Sequence, residues 1–365
     1  MKKNYGMVNS ADVAKKRGSM SLTLSQLFPG IETGLNRIGF LFGAGTSKEA
    51  GYPLMSDLTK TVVSSLGSDL KTVLDEILAG RELAYDSTAG TPNIEVISDL
   101  VTEYFITSQG SKHAELELEI RRLIVDAILS VTSPDLTHHV RFLEALKRRA
   151  HGTSSTVTIL TTNYDVLFEL AAGEVGVRME TGFDGPLKRQ FDPAVFDLAR
   201  GTVHNTRFAY RSELHINLIK LHGSVSWLKH EDRIFETGLD LQNETRERAL
   251  VFPRRRKVMD TLSEPFDQLF TRASRTLGSN CQYVVACGFS FGDKHINDQL
   301  IIPKLSAGKI RLTALCGEVP DCFEELKQFR PFHAGFPSNC FIDQREIGAG
   351  TDLWKFSALS RLLEP

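Results

Sequence analysis

The sequence lacks an apolar run long enough to cross a membrane. Its first twenty residues, MKKNYGMVNSADVAKKRGSM, carry basic side chains but no apolar stretch of the kind that a secretory signal needs. It also lacks a dominant charge, because 43 basic and 45 acidic residues leave a net charge of −2. This balance excludes an overall positive potential that would attract nucleic acid non-specifically, so only local basic patches could bind it. We therefore expect a cytoplasmic protein with no membrane contact.

Cysteine is scarce, and its spacing is irregular. No C-x-x-C pair occurs among Cys281, Cys287, Cys316, Cys322 and Cys340. A structural zinc site needs two closely spaced ligand pairs, so the sequence predicts no zinc. Scattered cysteines in odd number are typical of a reducing cytosol.

The chain is long enough, at 365 residues, to bury a large core as one or two domains. We expect an N-terminal extension over 1–35 and an α/β domain over 36–320. Amphipathic helices predict a helical insertion at about 65–150, in a separate lobe. The remaining segment, 321–365, is predicted to be a cap or an assembly segment.

Strands and helices alternate after the insertion, which predicts a doubly wound, Rossmann-like, mostly parallel sheet of about six strands. The predicted strands contain the sequences IGFLF, STVTILT, HINLIKL, ALVFP, QYVVACG and KIRLTALC. In such a sheet, ligands bind beyond the carboxyl ends of the strands. Four of these strands end in segments rich in glycine or polar residues, at 43–47, 161–165, 222–224 and 288–293.

The first of these segments predicts a phosphate site. Gly43 and Gly45 allow a tight turn and a close approach of the backbone to a pyrophosphate, with the next helix aiming its N–H groups at the anion. The third glycine of a dinucleotide fingerprint is missing, because Lys48 stands there. A tight turn between strand and helix is the alternative reading.

The other strand ends carry candidate catalytic groups, each with a structural alternative. Asn163 can orient a water or a ribose hydroxyl, and Asp165 can hold a ribose or begin the next helix as its N-cap. His222, beside a glycine, is a candidate general base or a structural histidine. Ser290 can bond a ribose or phosphate, or cap the helix near Asp293, where we predict a cap and no metal.

Together these four motifs, in this order, resemble the sirtuin superfamily over about residues 36–316. GAGTSKEAGYP is similar to the family's phosphate loop, and TTNYD stands at its T-x-N-x-D motif. KLHGS is similar to the motif of the catalytic histidine, and CGFSF to the Gly-x-Ser segment near the adenosine.

The departures from protein-deacylating sirtuins point to one branch of the family. Their four-cysteine zinc ribbon is missing, Pro53 is followed by Leu54-Met55-Ser56 instead of Asp-Phe-Arg, and Thr162 and Tyr164 replace Gln and Ile. TTNYD, GFSFGDKHIN and VFPRRRKVMDTLSEPFDQLF resemble the bacterial sirtuin-like branch found in antiphage defence.

That resemblance implies an NAD⁺ glycohydrolase of the bacterial cytoplasm. It would cleave NAD⁺ to nicotinamide and ADP-ribose and deplete the cell of NAD⁺ in abortive infection, so NAD⁺ is its substrate. Asn163 and His222 would be catalytic. The residues implied to bind NAD⁺ are Gly43, Ala44, Gly45, Thr46, Ser47, Pro53, Thr162, Asp165, Gly288 and Ser290.

Two other functions stay open at this stage. One is an NAD-dependent protein deacylase or ADP-ribosyltransferase, against which the missing zinc ribbon and Leu54-Met55-Ser56 argue. The other is a non-catalytic module that binds NAD⁺ or ADP-ribose, against which Asn163 and His222 argue, because a sensor has no use for a base.

The resemblance also implies partners. The chain ends soon after its last family strand, which favours a stand-alone subunit that forms a homo-oligomer. The best-known arrangement pairs such a subunit with a separately encoded HerA-type hexameric ATPase of the FtsK family. Basic RRRK at 254–257 is predicted to be a solvated loop, with phosphate or DNA as the alternative. Any contact with nucleic acid is predicted to occur only through the complex.

Overall fold

A computed structural model describes residues 22–365 except 109, 187, 200, 232, 239–240, 242–245 and 253–263. Most of the predicted N-terminal extension and the basic RRRK stretch therefore lie outside the described residues. Within the described ranges, no helix combines the length and apolar character that crossing a membrane requires.

One nine-stranded sheet organises the fold, in the order β16-β15-β14-β13-β12-β1-β2-β8-β3. Seven neighbouring strands, from β14 to β3, run parallel, and β15 and β16 extend one edge antiparallel. Its strands are β1 (Ile38–Phe42), β2 (Ser155–Thr161), β3 (Arg178–Glu180), β8 (Leu214–Lys220), β12 (Tyr283–Cys287), β13 (Arg311–Leu315), β14 (Phe332–Gly335), β15 (Cys340–Ile342) and β16 (Arg345–Ile347).

A smaller antiparallel sheet follows the order β11-β9-β10-β5-β4, and a hairpin joins β6 to β7. These strands are β4 (Phe183–Asp184), β5 (Arg189–Phe191), β6 (Gly201–His204), β7 (Arg207–Tyr210), β9 (Gly223–His230), β10 (Arg233–Glu236) and β11 (Arg248–Leu250). Ala249 and Leu250 of the predicted strand ALVFP belong to β11, so they lie in this second sheet and not in the main one.

The described α-helices are α1 (Leu24–Leu27), α2 (Met55–Ser65), α3 (Ser68–Ala79), α4 (Ile94–Ser108), α5 (Ser111–Leu129), α6 (Thr137–Arg149), α7 (Leu167–Val175), α8 (Phe266–Thr276), α9 (Lys294–Ile296), α10 (Ile302–Ser306), α11 (Phe323–Leu326) and α12 (Phe356–Leu362). A π-helical turn, Asn297–Ile301, joins α9 to α10.

The main sheet is buried on both faces because its strands alternate between two apolar cores. Phe40 and Phe42 of β1 pack into one core with α6, α7 and α12, and Leu41 packs into the other core with α8. Strands covered on both faces read as continuous apolar runs, which is why β1 has no polar residue. The predicted doubly wound, mostly parallel α/β class is confirmed.

A third core holds the helices α2 to α5 together as a lobe. The second sheet also contributes to this core, through Val225 of β9, Leu250 of β11 and Phe252, which follows β11. Helix α6 packs instead on the main sheet, where Phe142 and Leu146 are fully buried. The last helix of the predicted insertion therefore covers the α/β core and not the lobe.

The core above β1 contains a histidine among aromatic rings. His139 of α6 is 0% exposed, and its ring centroid lies 4.8 Å from that of Phe168 and 4.7 Å from that of Phe356. Within the part of the chain that the structure describes, neither of its ring nitrogens has a hydrogen-bond partner. Burial lowers the pKa of His139 to about 4, because the apolar surroundings disfavour the charged imidazolium.

Acid should therefore destabilise the protein through His139. Below its ordinary pKa of 6.5 the unfolded chain protonates this imidazole, but the folded chain does not do so until about pH 4. We expect a loss of about 2–3 kcal/mol in unfolding free energy from this group between pH 7 and 4.5, and none above pH 7. Urea denaturation at both pH values, on the wild type and on His139→Phe, measures it.

The variant should lose less stability on acidification than the wild type, by about that amount. Burial also lowers the pKa of His333 to about 4, and that histidine contributes equally in both proteins. The exposed His204, changed to Asn, is the matched control. Equal losses in wild type and His139→Phe would contradict the assignment.

Candidate active site at the carboxyl ends of four strands

Four neighbouring parallel strands end at one level of the main sheet. Phe42 of β1 pairs with Cys287 of β12 on one side and with Thr161 of β2 on the other, and Thr161 pairs with Lys220 of β8. The four segments singled out in the sequence follow these residues. They therefore emerge together at the carboxyl edge of the sheet, as the sequence predicts.

The glycines of the first loop pack against the loop that follows β12. Gly45 N donates to Gly288 O at 3.0 Å, and a Cβ added to Gly45 would lie 2.6 Å from Gly288 Cα. A Cβ on Gly43 would lie 2.6 Å from Gly288 O. Gly288 has φ of +63°, which favours glycine. These three glycines are therefore needed for the contact between the two loops, whatever ligand the loops hold.

The first loop is not followed at once by an α-helix. It forms two 3₁₀ turns, Ala44–Thr46 and Lys48–Ala50, and α2 begins only at Met55. The amides of Thr46 and Ser47 donate to carbonyls within the loop. The expected helix N-terminus at the phosphate position is thus replaced by tightly bonded turns, in which Ala44, Lys48 and Glu49 are exposed.

Asn163 joins this loop to the end of β2. Its side chain is buried, and Nδ2 lies 3.1 Å from Gly43 O, 3.2 Å from Thr46 Oγ1 and 2.9 Å from Ser47 Oγ. Ser47 Oγ in turn donates to Asp165 Oδ2 at 2.7 Å. The predicted site residues Thr46, Ser47, Asn163 and Asp165 therefore form one buried hydrogen-bond network.

Asp165 also contacts the start of the next helix. Its Oδ1 accepts from Leu167 N, the first residue of α7, at 3.1 Å, but the N-cap position of that helix is Val166 and not Asp165 as predicted. Tyr52, which was not predicted as a site residue, is held beside this network, because its N donates to Ser47 O at 3.2 Å. Burial raises the pKa of Tyr52, and the negative charges of Asp165 and Glu169 raise it further, so its phenol stays neutral.

A buried lysine, which was not predicted as a site residue, contacts this network through the main chain of Asp165. Lys220 is 1% exposed, and its Nζ donates to the carbonyl of Asp165, to Glu169 Oε1 at 2.8 Å and to Ser224 Oγ at 2.8 Å. A charge can be buried in this way only when it is paired and hydrogen-bonded. A lysine inside the apolar run LIKL was the available signal.

His222 is buried and faces a carboxylate that lies far away in the sequence. Its Nε2 lies 3.0 Å from Asp293 Oδ2, and both side chains are 7% exposed. Asp293 also caps α9, as predicted, because Oδ1 accepts from Ile296 N at 3.3 Å. The contact with His222 was not predicted, since no local pattern pairs the two residues.

Gly223, the glycine beside His222, has a backbone reason for lacking a side chain. Its φ is +84°, and an added Cβ would lie 2.2 Å from Ala249 O. The main chain of His222 is held as well, because its carbonyl accepts from Val251 N at 2.9 Å.

The remaining predicted residues lie around these groups. Thr162 and Pro53 are half-buried, and Thr162 N donates to Phe42 O at 3.2 Å. Ser290 is exposed, and its Oγ accepts from Gly292 N at 3.3 Å. Asp293, not Ser290, caps the following helix. Among the described residues, no group of three or more His, Cys, Asp or Glu side chains is placed to hold a metal ion.

One protein-family model matches part of the chain. Residues 157–304 match the family model of the SIR2-like domain, and this range contains Asn163, His222, Gly288 and Asp293. No curated protein sequence matches the chain.

Two solved structures are similar at low sequence identity. A mutant Sir2 homologue in complex with 2'-O-acetyl ADP-ribose is 13% identical, with 94% of this chain and 96% of that chain covered and a TM-score of 0.44. A Sir2 homologue in complex with NAD is 12% identical, with coverages of 92% and 90% and a TM-score of 0.39.

The contact between the two glycine loops can be tested by Gly288→Ala. The new Cβ would lie 2.5 Å from Thr46 N and would hold a positive φ, so we expect a loss of about 1–3 kcal/mol in unfolding free energy. Gly173→Ala is the control, since an exposed Cβ on α7 meets no atom within 4 Å. It should stabilise the protein by about 0.5–1 kcal/mol. Equal effects in urea denaturation would refute the packing argument.

Proposed function

We propose that this protein is a sirtuin-like NAD⁺ glycohydrolase, which cleaves NAD⁺ to nicotinamide and ADP-ribose. The observation that supports this most strongly is the meeting of Asn163, His222 and the glycine loop at one edge of the sheet. The first loop and the loop after β12 would hold the pyrophosphate and ribose of NAD⁺, which is the substrate. The match to the SIR2-like domain over 157–304 agrees with an NAD-using site.

The reaction replaces the bond between nicotinamide and ribose by a bond to water. Its transition state has oxocarbenium character at the ribosyl carbon, as in glycoside hydrolysis. Asn163 Nδ2 donates its hydrogen bonds to the first loop. The side-chain carbonyl oxygen is therefore the group that orients the water or a ribose hydroxyl. His222 accepts the proton that the attacking water loses.

Hydrolysis fits the sequence better than deacylation does. A deacylase must bind an acyl-lysine peptide, and the chain departs from deacylating sirtuins where their zinc ribbon and their Asp-Phe-Arg segment would stand. A hydrolase needs only the NAD⁺ site and a held water. The departures thus remove peptide recognition and keep the strand ends that carry Asn163 and His222.

NAD⁺ turnover by the purified chain tests this proposal. We expect nicotinamide and ADP-ribose, measured by mass spectrometry, to appear without any acylated peptide. His222→Ala and Asn163→Ala should each lower the rate by at least about 100-fold, because each removes a group that acts on the reacting atoms. The exposed His204→Ala should leave the rate unchanged.

Two outcomes would overturn the hydrolase assignment. Release of nicotinamide only when an acylated peptide is present would identify a deacylase. Tight NAD⁺ binding without turnover, in the chain alone and with its partner, would identify a binding module.

The cellular role we propose is abortive infection, in which NAD⁺ depletion stops phage growth. The chain acts as a homo-oligomer together with a separately encoded HerA-type hexameric ATPase. Any contact with nucleic acid is made through this complex. This part rests on the resemblance of TTNYD and GFSFGDKHIN to the antiphage branch.

Phage infection of bacteria that carry both genes should then lower cellular NAD⁺ and phage yield, and His222→Ala should abolish both effects. Cellular NAD⁺ measured by mass spectrometry through one infection cycle is the readout. Unchanged NAD⁺ in cells from which an active complex can be purified would rule this role out.

A further inference from the structure

We infer that Asp293 is a positioning residue for His222, and that its carboxylate selects the ring tautomer in which Nδ1 carries the lone pair. The inference deepens the proposed function and rests on it, since it concerns the base of that reaction. It starts from the contact between Asp293 Oδ2 and His222 Nε2 at 3.0 Å.

The setting makes this contact strong and directional. Both side chains are 7% exposed, so little water competes for either partner. A hydrogen bond between buried groups, one of them charged, is stronger than the same bond in water. The pair therefore orients the imidazole ring.

The carboxylate is held independently of the histidine. Its second oxygen, Oδ1, accepts from Ile296 N, and Asn297 Nδ2 donates to Phe291 O at 2.6 Å in the loop just before it. Phe291 adopts a positive φ of +57°, which a non-glycine residue keeps only when its surroundings fix it. Asp293 is thus presented to His222 by a fixed loop and a helix start.

This arrangement determines which ring nitrogen acts. A carboxylate only accepts hydrogen bonds, so Nε2 carries the hydrogen and Nδ1 carries the lone pair in the neutral ring. Nδ1 is then the atom that takes the proton. A helix cap alone would use Oδ1 and would not need Oδ2 at the histidine.

Asp293→Asn tests the inference. The amide oxygen can still cap α9 through Ile296 N, but the amide NH₂ would face Nε2 and favour the opposite tautomer. We expect kcat for NAD⁺ cleavage to fall by at least about 100-fold with KM within about threefold, because the substrate site is untouched. Asp298→Asn, an exposed change in the same helical segment, is the control and should keep the wild-type rate.

Two further measurements separate positioning from a structural role. In a His222→Ala background, Asp293→Asn should cost no additional rate, since the two residues act as a unit. Ring ¹⁵N shifts of histidine-labelled protein, with the His222 signal assigned from His222→Ala, should show hydrogen on Nε2 in the wild type and on Nδ1 in Asp293→Asn.

The inference is overturned if Asp293→Asn keeps its kcat, if it costs as much rate without His222 as with it, or if the ring tautomer does not change. The tautomer measurement needs no turnover. Suppose that the wild type has hydrogen on Nε2, that Asp293→Asn has it on Nδ1, and that the wild type never cleaves NAD⁺. This result would refute the proposed function and leave the positioning role established.

Discussion

The candidate site depends on the close approach of two backbones, those of the loops that follow β1 and β12. Gly45 and Gly288 meet where no Cβ fits on either side, and Gly43 extends the contact. The parallel register of β1 and β12 brings the loops to the same level. A tight backbone contact of this kind has few alternatives, so it fixes where any ligand would meet the edge of the sheet.

The opposite side of the first loop is held by polar groups. Asn163 donates a hydrogen bond to Ser47 of this loop, and Ser47 donates one to Asp165. Lys220, at the end of β8, donates to the carbonyl of Asp165. These groups lie at three neighbouring strand ends and are buried together. A buried network whose members satisfy one another is rigid, and removing one member leaves the others unpaired. Asn163 therefore supports the loop, in addition to the catalytic role proposed for it.

The sequence predicts those parts of this arrangement that local pattern determines. Strands buried on both faces, such as β1, read as plain apolar runs, and their order places the motif-bearing ends together. The strands β3, β14, β15 and β16 have only three or four residues each, which is too short for a periodic pattern to stand out. The contact between His222 and Asp293 forms only because β8 and the loop after β12 meet at the same edge of the sheet. No spacing of residues in the sequence predicts it.

The third support of the loop comes from the far end of the chain. Glu49, in the second 3₁₀ turn, accepts from Ser357 N at 3.0 Å and from Ser357 Oγ at 2.7 Å. The carboxylate thus meets one backbone amide in the first turn of α12, whose Phe356 packs against Phe42 at 5.4 Å between ring centroids. The loop is thus fixed by glycine packing, by a polar network and by a helix start. Because binding sites act through groups held before the ligand arrives, this triple support would let a short turn without a following α-helix serve as the binding loop that we propose.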